Sequence, residues 1–322
     1  MKTLLQSMAI IAIMAISLYC KKENNATSTS SPNQNDTAAF SSLSSFYANH
    51  ASLPQSFEFN AAIENQFTTV KGTKIKIPAN AFVDQFNQPV SGMVKLEFKD
   101  VYAKSDMLFS GLSTTYLNAN PLKSAGMFFI KATQNNVYLL LAKGKSIEIK
   151  QPANGTIDPD MNAFVLDSTN GWNPIIKDSS NFLLDSFSFD NSDYTHLLNY
   201  FYPPYYMGTY INCDNSAYFA NKPYTKLTVT IPDSLNTLGF ELHLNLKSVS
   251  TLIHIYSIGS TTYQYLYAPL NMEGTLILVG MKNKKVYASF TPITITPDAT
   301  INLTVTETTF DDVKSKILKL DD

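Results

Sequence analysis

The sequence predicts an all-β chain: two antiparallel β-sandwich domains followed by a short C-terminal helix. Three observations lead there. Apolar and polar residues alternate with period two at 73–77, 92–101 and 240–246, the pattern of half-buried strands. Turn residues such as Asn135-Asn136, Lys143-Gly144 and Asn283 punctuate the chain at strand-length intervals. No helical period longer than about three turns interrupts the region up to residue 176.

Taken in order, residues 1–19 read as a signal peptide. Lys2 supplies the positive charge, and an apolar run from Leu4 to Ile16 follows, broken only by Gln6 and Ser7. The run is too short to span a bilayer as a permanent helix. It stops at Cys20, and a polar tract follows as far as Asp36. A cysteine at that point offers a thiol for a diacylglycerol and, once freed, an amine for a further acyl chain. Two or more chains anchor stably. This order resembles a bacterial lipoprotein, and Lys21-Lys22-Glu23 resembles the short signal that sends Bacteroidetes lipoproteins to the cell surface. The resemblance implies lipidation of Cys20 and a lipid-anchored place in the outer membrane or at the cell surface. The chain departs from the pattern in one respect: Tyr19 stands where lipoprotein signals carry a small residue. The alternative is an ordinary secretory signal cut near Ala15 or Ser17, which would leave a free thiol.

Residues 20–54 are expected to form a flexible tether, because Ser, Thr, Asn and Pro dominate its first half and cannot bury enough surface to fold. Leu43 to Ala51 suits a short helix. The first sandwich is expected over 55–180. In Thr73-Lys74-Ile75-Lys76-Ile77 the isoleucines share one face, and Pro78 ends the strand because it cannot donate to a ladder. Val94, Leu96 and Phe98 then point inward, with Lys95, Glu97 and Lys99 outward. Strands follow at 125–133, 137–141 and 146–150, and a hairpin at 161–176 turns through Asp167-Ser168-Thr169-Asn170-Gly171.

Gly72-Thr73-Lys74-Ile75-Lys76-Ile77-Pro78-Ala79-Asn80-Ala81-Phe82 resembles the opening of the β-sandwich domain shared by ankyrins and netrin receptors, of which Bacteroidetes lipoproteins carry relatives. The likeness covers roughly residues 57–178, the hairpin included. Some such domains cleave themselves at a His-Phe-Ser motif. Here Leu108-Phe109-Ser110 lacks the histidine, so self-cleavage is not expected.

Residues 181–205 are expected to form an aromatic linker. Tyr200, Tyr202, Tyr205 and Tyr206, with Phe201 and Tyr210, surround Pro203-Pro204. Such rings either offer a platform on which sugar rings stack or cement the two sandwiches at their junction. Their place at the domain boundary favours the junction. A second sandwich is expected over 206–308, with Phe240, Leu242, Leu244 and Leu246 inward and Glu241, His243 and Asn245 outward. Gly208-Thr209-Tyr210-Ile211-Asn212-Cys213-Asp214 resembles the opening of an immunoglobulin-like or transthyretin-like sandwich found in the same lipoproteins. The closing segment, 309–322, spaces Phe310, Val313, Ile317 and Leu320 as one helical face, with Asp311 and Asp312 suited to its N-terminus. It is expected to pack on the second sandwich.

Composition excludes some functions. The 24 basic residues are all lysine against 26 acids, a formal net charge of −2. No guanidinium fork exists to clamp phosphate or carboxylate, and no lysine cluster suggests a nucleic-acid partner. With Cys20 acylated, Cys213 has no disulfide partner and reads as a buried structural thiol. His243 reads as solvated, His254 as a structural strand histidine, and His50 and His196 as members of irregular segments. None stands at metal-ligand spacing from another histidine or cysteine, so neither a metal nor a cofactor is expected. Asp158-Pro159-Asp160 reads as a turn rather than a calcium loop. Thr37, Ser168 and Ser234, each following an aspartate, resemble the acceptors of Bacteroidetes O-glycosylation.

No catalytic residue is identified. The expected function is that of a non-enzymatic, lipid-anchored envelope protein whose partners are the membrane and an unidentified protein or polysaccharide. The alternative is an accessory glycan-acting hydrolase, or a carbohydrate-binding lipoprotein, built on carboxylates that only the fold brings together.

Overall fold

The computed structural model describes residues 40–116, 120–153, 155–167, 171–175, 185–199 and 209–321. It is all-β and sandwich-like, as expected. In the first sandwich, one sheet orders its strands Gln55–Asn60, Met93–Val101, Lys123–Gln134, Thr209–Asn215, Asn162–Asp167 and Gly171–Pro174, with Val137–Tyr138 paired to the third of these. The facing sheet runs Asp185–Phe189, Asp193–Leu198, Ile147–Pro152, Lys74–Ile77 and Asn65–Thr68. Ile75, Ile77, Leu96, Phe98, Phe128, Ile130, Ile147 and Ile149 meet between the two sheets, the alternation seen in the sequence having turned one side of each strand inward.

The second sandwich pairs a five-stranded sheet, Thr251–Ile255, Phe240–Leu246, Glu273–Lys282, Lys285–Thr294 and Thr306–Thr308, with a three-stranded one, Thr262–Pro269, Tyr224–Thr230 and Thr300–Asn302. Pairing in these sheets is antiparallel except between Tyr224–Thr230 and Thr300–Asn302, which run parallel. Leu242, Leu244, Leu276, Leu278, Val229 and Tyr263 fill the core between them. The turn expected at Asn283 is present. Asn283 and Lys284 take φ of 51° and 64°, and Lys282 pairs with Lys285, the positive-φ geometry of a tight hairpin.

Three boundaries differ from those expected. The short helix expected within 43–51 forms as α1 (Leu43–His50) and belongs to the core, so the span expected as flexible tether, 20–54, does not run through it. Ser42 and Ser45 cap it reciprocally, and Phe46 is fully buried. The linker expected over 181–205 contains two strands of the first sandwich, 185–189 and 193–198, which pair antiparallel with each other, and the second of them pairs antiparallel with 147–152. Tyr194, His196 and Leu198 alternate inward and are buried, a period-two pattern hidden by the surrounding polar residues. Thr209–Asn215, expected to open the second sandwich, pairs instead with Lys123–Gln134 and Asn162–Asp167 of the first, and Ile211 enters the first core.

A short helix not foreseen in the sequence, α2 (Lys104–Phe109), follows the 93–101 strand. Its free N-terminal amides are capped from the far end of the chain. Asp321 Oδ1 accepts from the Lys104 amide at 2.7 Å and from the Ser105 amide at 3.3 Å. The C-terminal helix, α3 (Phe310–Leu318), forms as its periodicity predicts, with Thr309 as N-cap and Asp312 bridging to Lys316 at 2.9 Å. It packs on the 285–294 strand, as expected, and also on the helices of the first sandwich. Phe310 stacks on Phe46 at 4.7 Å between ring centroids.

The sheets that face each other across the middle of the molecule are apolar on both sides. Met127, Val101, Leu122 and Phe164 of the first sandwich form one cluster with Leu252, Ile277, Val279, Val286 and the buried faces of all three helices. Polar bonds close the seam: the Thr114 amide donates to Leu252 O at 2.7 Å, the Ser124 amide to Ser250 O at 2.9 Å, and the Thr251 hydroxyl to Leu122 O at 2.8 Å. These groups would otherwise be orphaned at a buried interface.

Candidate ligand cleft between the sandwiches

Where the two facing sheets do not touch, they leave an open cleft of about 1300 Å3. Cross-strand register builds each wall. On the first sandwich Lys99 lies opposite Phe129, and Phe129 opposite Tyr210, so the three side chains form a row on one face. The Phe129 and Tyr210 rings pack at 5.1 Å. On the second sandwich His243 lies opposite His254, and Glu241 stands two residues before His243 on the same face. The imidazoles lie 4.9 Å apart, and the Tyr256 ring closes on His254 edge to face at 4.5 Å. Tyr47 of α1 and Ser110, just after α2, complete the lining, and Leu53, Tyr256 and Leu266 stand exposed at the mouth.

Several expectations are overturned here. Lys99, Glu241, His243 and Asn245 were expected to face solvent. Lys99, His243 and Asn245 are buried and Glu241 is half-buried. The alternation was read correctly, but the second face of each strand is covered by the other sandwich. His196, expected in an irregular segment, is a buried strand residue, whereas His50 ends α1, its Nδ1 2.9 Å from Phe46 O.

Burial sets the electrostatics. It pushes the His243 imidazole down to about 3, with the neighbouring His254 adding to the shift, and it lowers His254 as well. Both rings are therefore neutral at pH 7 and act as hydrogen-bonding groups rather than cations. Burial raises the Glu241 carboxyl from its ordinary value and lowers the Lys99 ammonium. Burial, reinforced by the charge of Glu241, holds the Tyr47 phenol well above its usual value. The Tyr47 hydroxyl is buried and, among the described residues, finds no hydrogen-bond partner. Among the described residues no group of three His, Cys, Asp or Glu side chains is placed to hold a metal ion. What the cleft offers is flat aromatic surface, neutral imidazoles, one carboxyl and one ammonium, which suits binding of a ligand with both apolar faces and polar groups.

Of the residues singled out from the sequence, Cys20, Thr37, Ser168, Tyr200, Tyr202, Tyr205 and Tyr206 lie outside the described residues. Ser234 lies exposed in a turn, its carbonyl accepting from Lys282. Cys213 is fully buried. Asp158 sits in the expected turn, accepting from the Asp160 amide at 3.0 Å and from Lys123 at 2.6 Å. Tyr210, the last ring of the aromatic run, lines the cleft.

The sequence reading missed Tyr47, Lys99 and the His243–His254 pair. A signal existed for the pair: folding 240–246 against 251–255 about Lys247-Ser248-Val249-Ser250 aligns the two histidines. Among the described residues, no helix is long and apolar enough to cross a membrane. Compared with protein-family models and with curated proteins, the chain matches none.

Proposed function

We propose that this chain is a non-enzymatic, lipid-anchored protein of the outer membrane or cell surface that binds a partner protein or surface polymer in the cleft between its sandwiches. The observation that carries the reading is the cleft itself, open to solvent, walled by aromatic rings and furnished with a few neutral polar groups. The anchoring half rests on the apolar segment ending at Cys20 and on the resemblance of residues 1–36 to a lipoprotein leader. A glycan-acting hydrolase built on two carboxylates is the competing reading. Among the described residues that line the cleft, Glu241 is the one carboxylate, which supports binding over that chemistry.

Two experiments test the proposal. A photo-crosslinking residue placed at exposed Tyr256, on intact cells, captures an envelope component that the same residue placed at exposed Glu307 does not. Capture from both positions, or from neither, refutes cleft binding. Metabolic labelling with a fatty-acid probe tests the anchor: Cys20→Ala loses both label and membrane retention, and retention of both refutes it.

A further inference from the structure

Lys99 is only 6 % exposed, yet it carries an ammonium group to the wall of the cleft. Its Nζ donates to the Ser110 hydroxyl at 2.8 Å, and among the described residues it forms no ion pair. Asp106, the acid whose charge acts on it, is already engaged by Lys71. A buried cation without a carboxylate partner is costly, and proteins ordinarily neutralise one. Among the described residues the buried Tyr47 hydroxyl on the same cleft finds no partner, a second polar group left unsatisfied. Both groups can donate to an anion. Burial disfavours the charged form of Glu241, the acid of the lining, whose charge acts on Tyr47.

Resting on the binding reading above, we infer that the cleft takes an oligosaccharide bearing uronic acids, one sugar carboxylate pairing with the Lys99 ammonium and accepting from the Tyr47 hydroxyl. Lysine suits this as a point charge that needs no bidentate geometry. The polar part of the lining gives a saccharide partners that a fatty or aromatic acid would leave unused. Tyr256, 68 % exposed and braced against His254, offers a rigid aromatic face at the mouth for a sugar ring. His254, Gln264 and the Ser113–Thr115 hydroxyl pair line the cleft as neutral partners for sugar hydroxyls.

Titration calorimetry on the purified full-length chain tests this with short oligomers of galacturonate, of mannuronate and guluronate, and of glucuronate-containing glycan, each against its neutral methyl ester. At least one acid binds, and its ester binds roughly ten- to a hundredfold more weakly, the worth of one charge-assisted contact. Lys99→Met weakens the acid by a similar factor while leaving the ester unchanged, and Tyr47→Phe weakens the acid several-fold. A thermal midpoint of Lys99→Met at or above that of the parent shows that the loss is not unfolding. Equal binding of acid and ester, undiminished binding by a folded Lys99→Met chain, or failure of every uronate overturns the inference. If all uronates fail while a crosslinker at Tyr256 still captures an envelope component, the acidic-sugar inference falls and the binding reading stands.

Discussion

Replacing His243 should flatten the acid side of the stability profile. The imidazole is buried between the sandwiches with a value near 3, against 6.5 for an exposed histidine. A depressed base binds its proton in the unfolded chain before it does in the folded one. Its neutral form therefore supports the fold fully above pH 6.5, and that support is lost as pH falls from about 6.5 toward 3. Each pH unit in this window costs about 1.4 kcal/mol, so by pH 4 the loss is roughly 3 kcal/mol. Glu241 works the other way, since burial raises it and its neutral form favours the fold as pH falls. His254 acts in the same sense as His243. Both remain in His243→Asn, so the difference between parent and variant isolates His243. Urea denaturation from pH 4 to 7.5 measures it. The parent's advantage over His243→Asn should hold steady above pH 6.5 and shrink by roughly 3 kcal/mol by pH 4. An advantage that stays constant to within about 0.5 kcal/mol across the range would mean that His243 titrates as an exposed residue. The account of the cleft wall as a dry, shared interface would then be wrong.

Two further tests address the frame around the cleft. Phe46→Ala should cost about 3–5 kcal/mol by denaturant unfolding, because the ring is fully buried and stacks on Phe310 where the helices meet. A loss under about 1 kcal/mol would show α1 to be a dispensable part of the tether. Lys284→Gly should stabilise the chain by roughly 0.5–1 kcal/mol, since Lys284 holds φ of 64° in the 282–285 turn and glycine adopts it without strain. A lower thermal midpoint would refute that view of the hairpin.

The strands and their inward faces were legible in the sequence because period two is a local property. Ile75 and Ile77, or Leu242 and Leu244, announce a buried face whatever the rest of the chain does. The C-terminal helix was legible for the same reason, with its spacing and its acidic first turn close together in sequence. The assignment of strands to sheets was not. Thr209–Asn215 carries the same alternation whichever sandwich it joins, and only pairing with Lys123–Gln134 and Asn162–Asp167 decides for the first. Nor does alternation say what covers the second face of a strand. Lys99, Glu241 and His243 read as solvent-facing because polar residues usually are. The docking of two apolar sheet faces covered them, neutralised the histidines and left the ammonium of Lys99, among the described residues, bonded to Ser110 without an ion-pair partner. Local chemistry chose the elements, and hairpin folding alone pairs His243 with His254, whereas the two walls of the site meet through contacts such as Thr114 with Leu252, 138 positions apart, which no local pattern encodes.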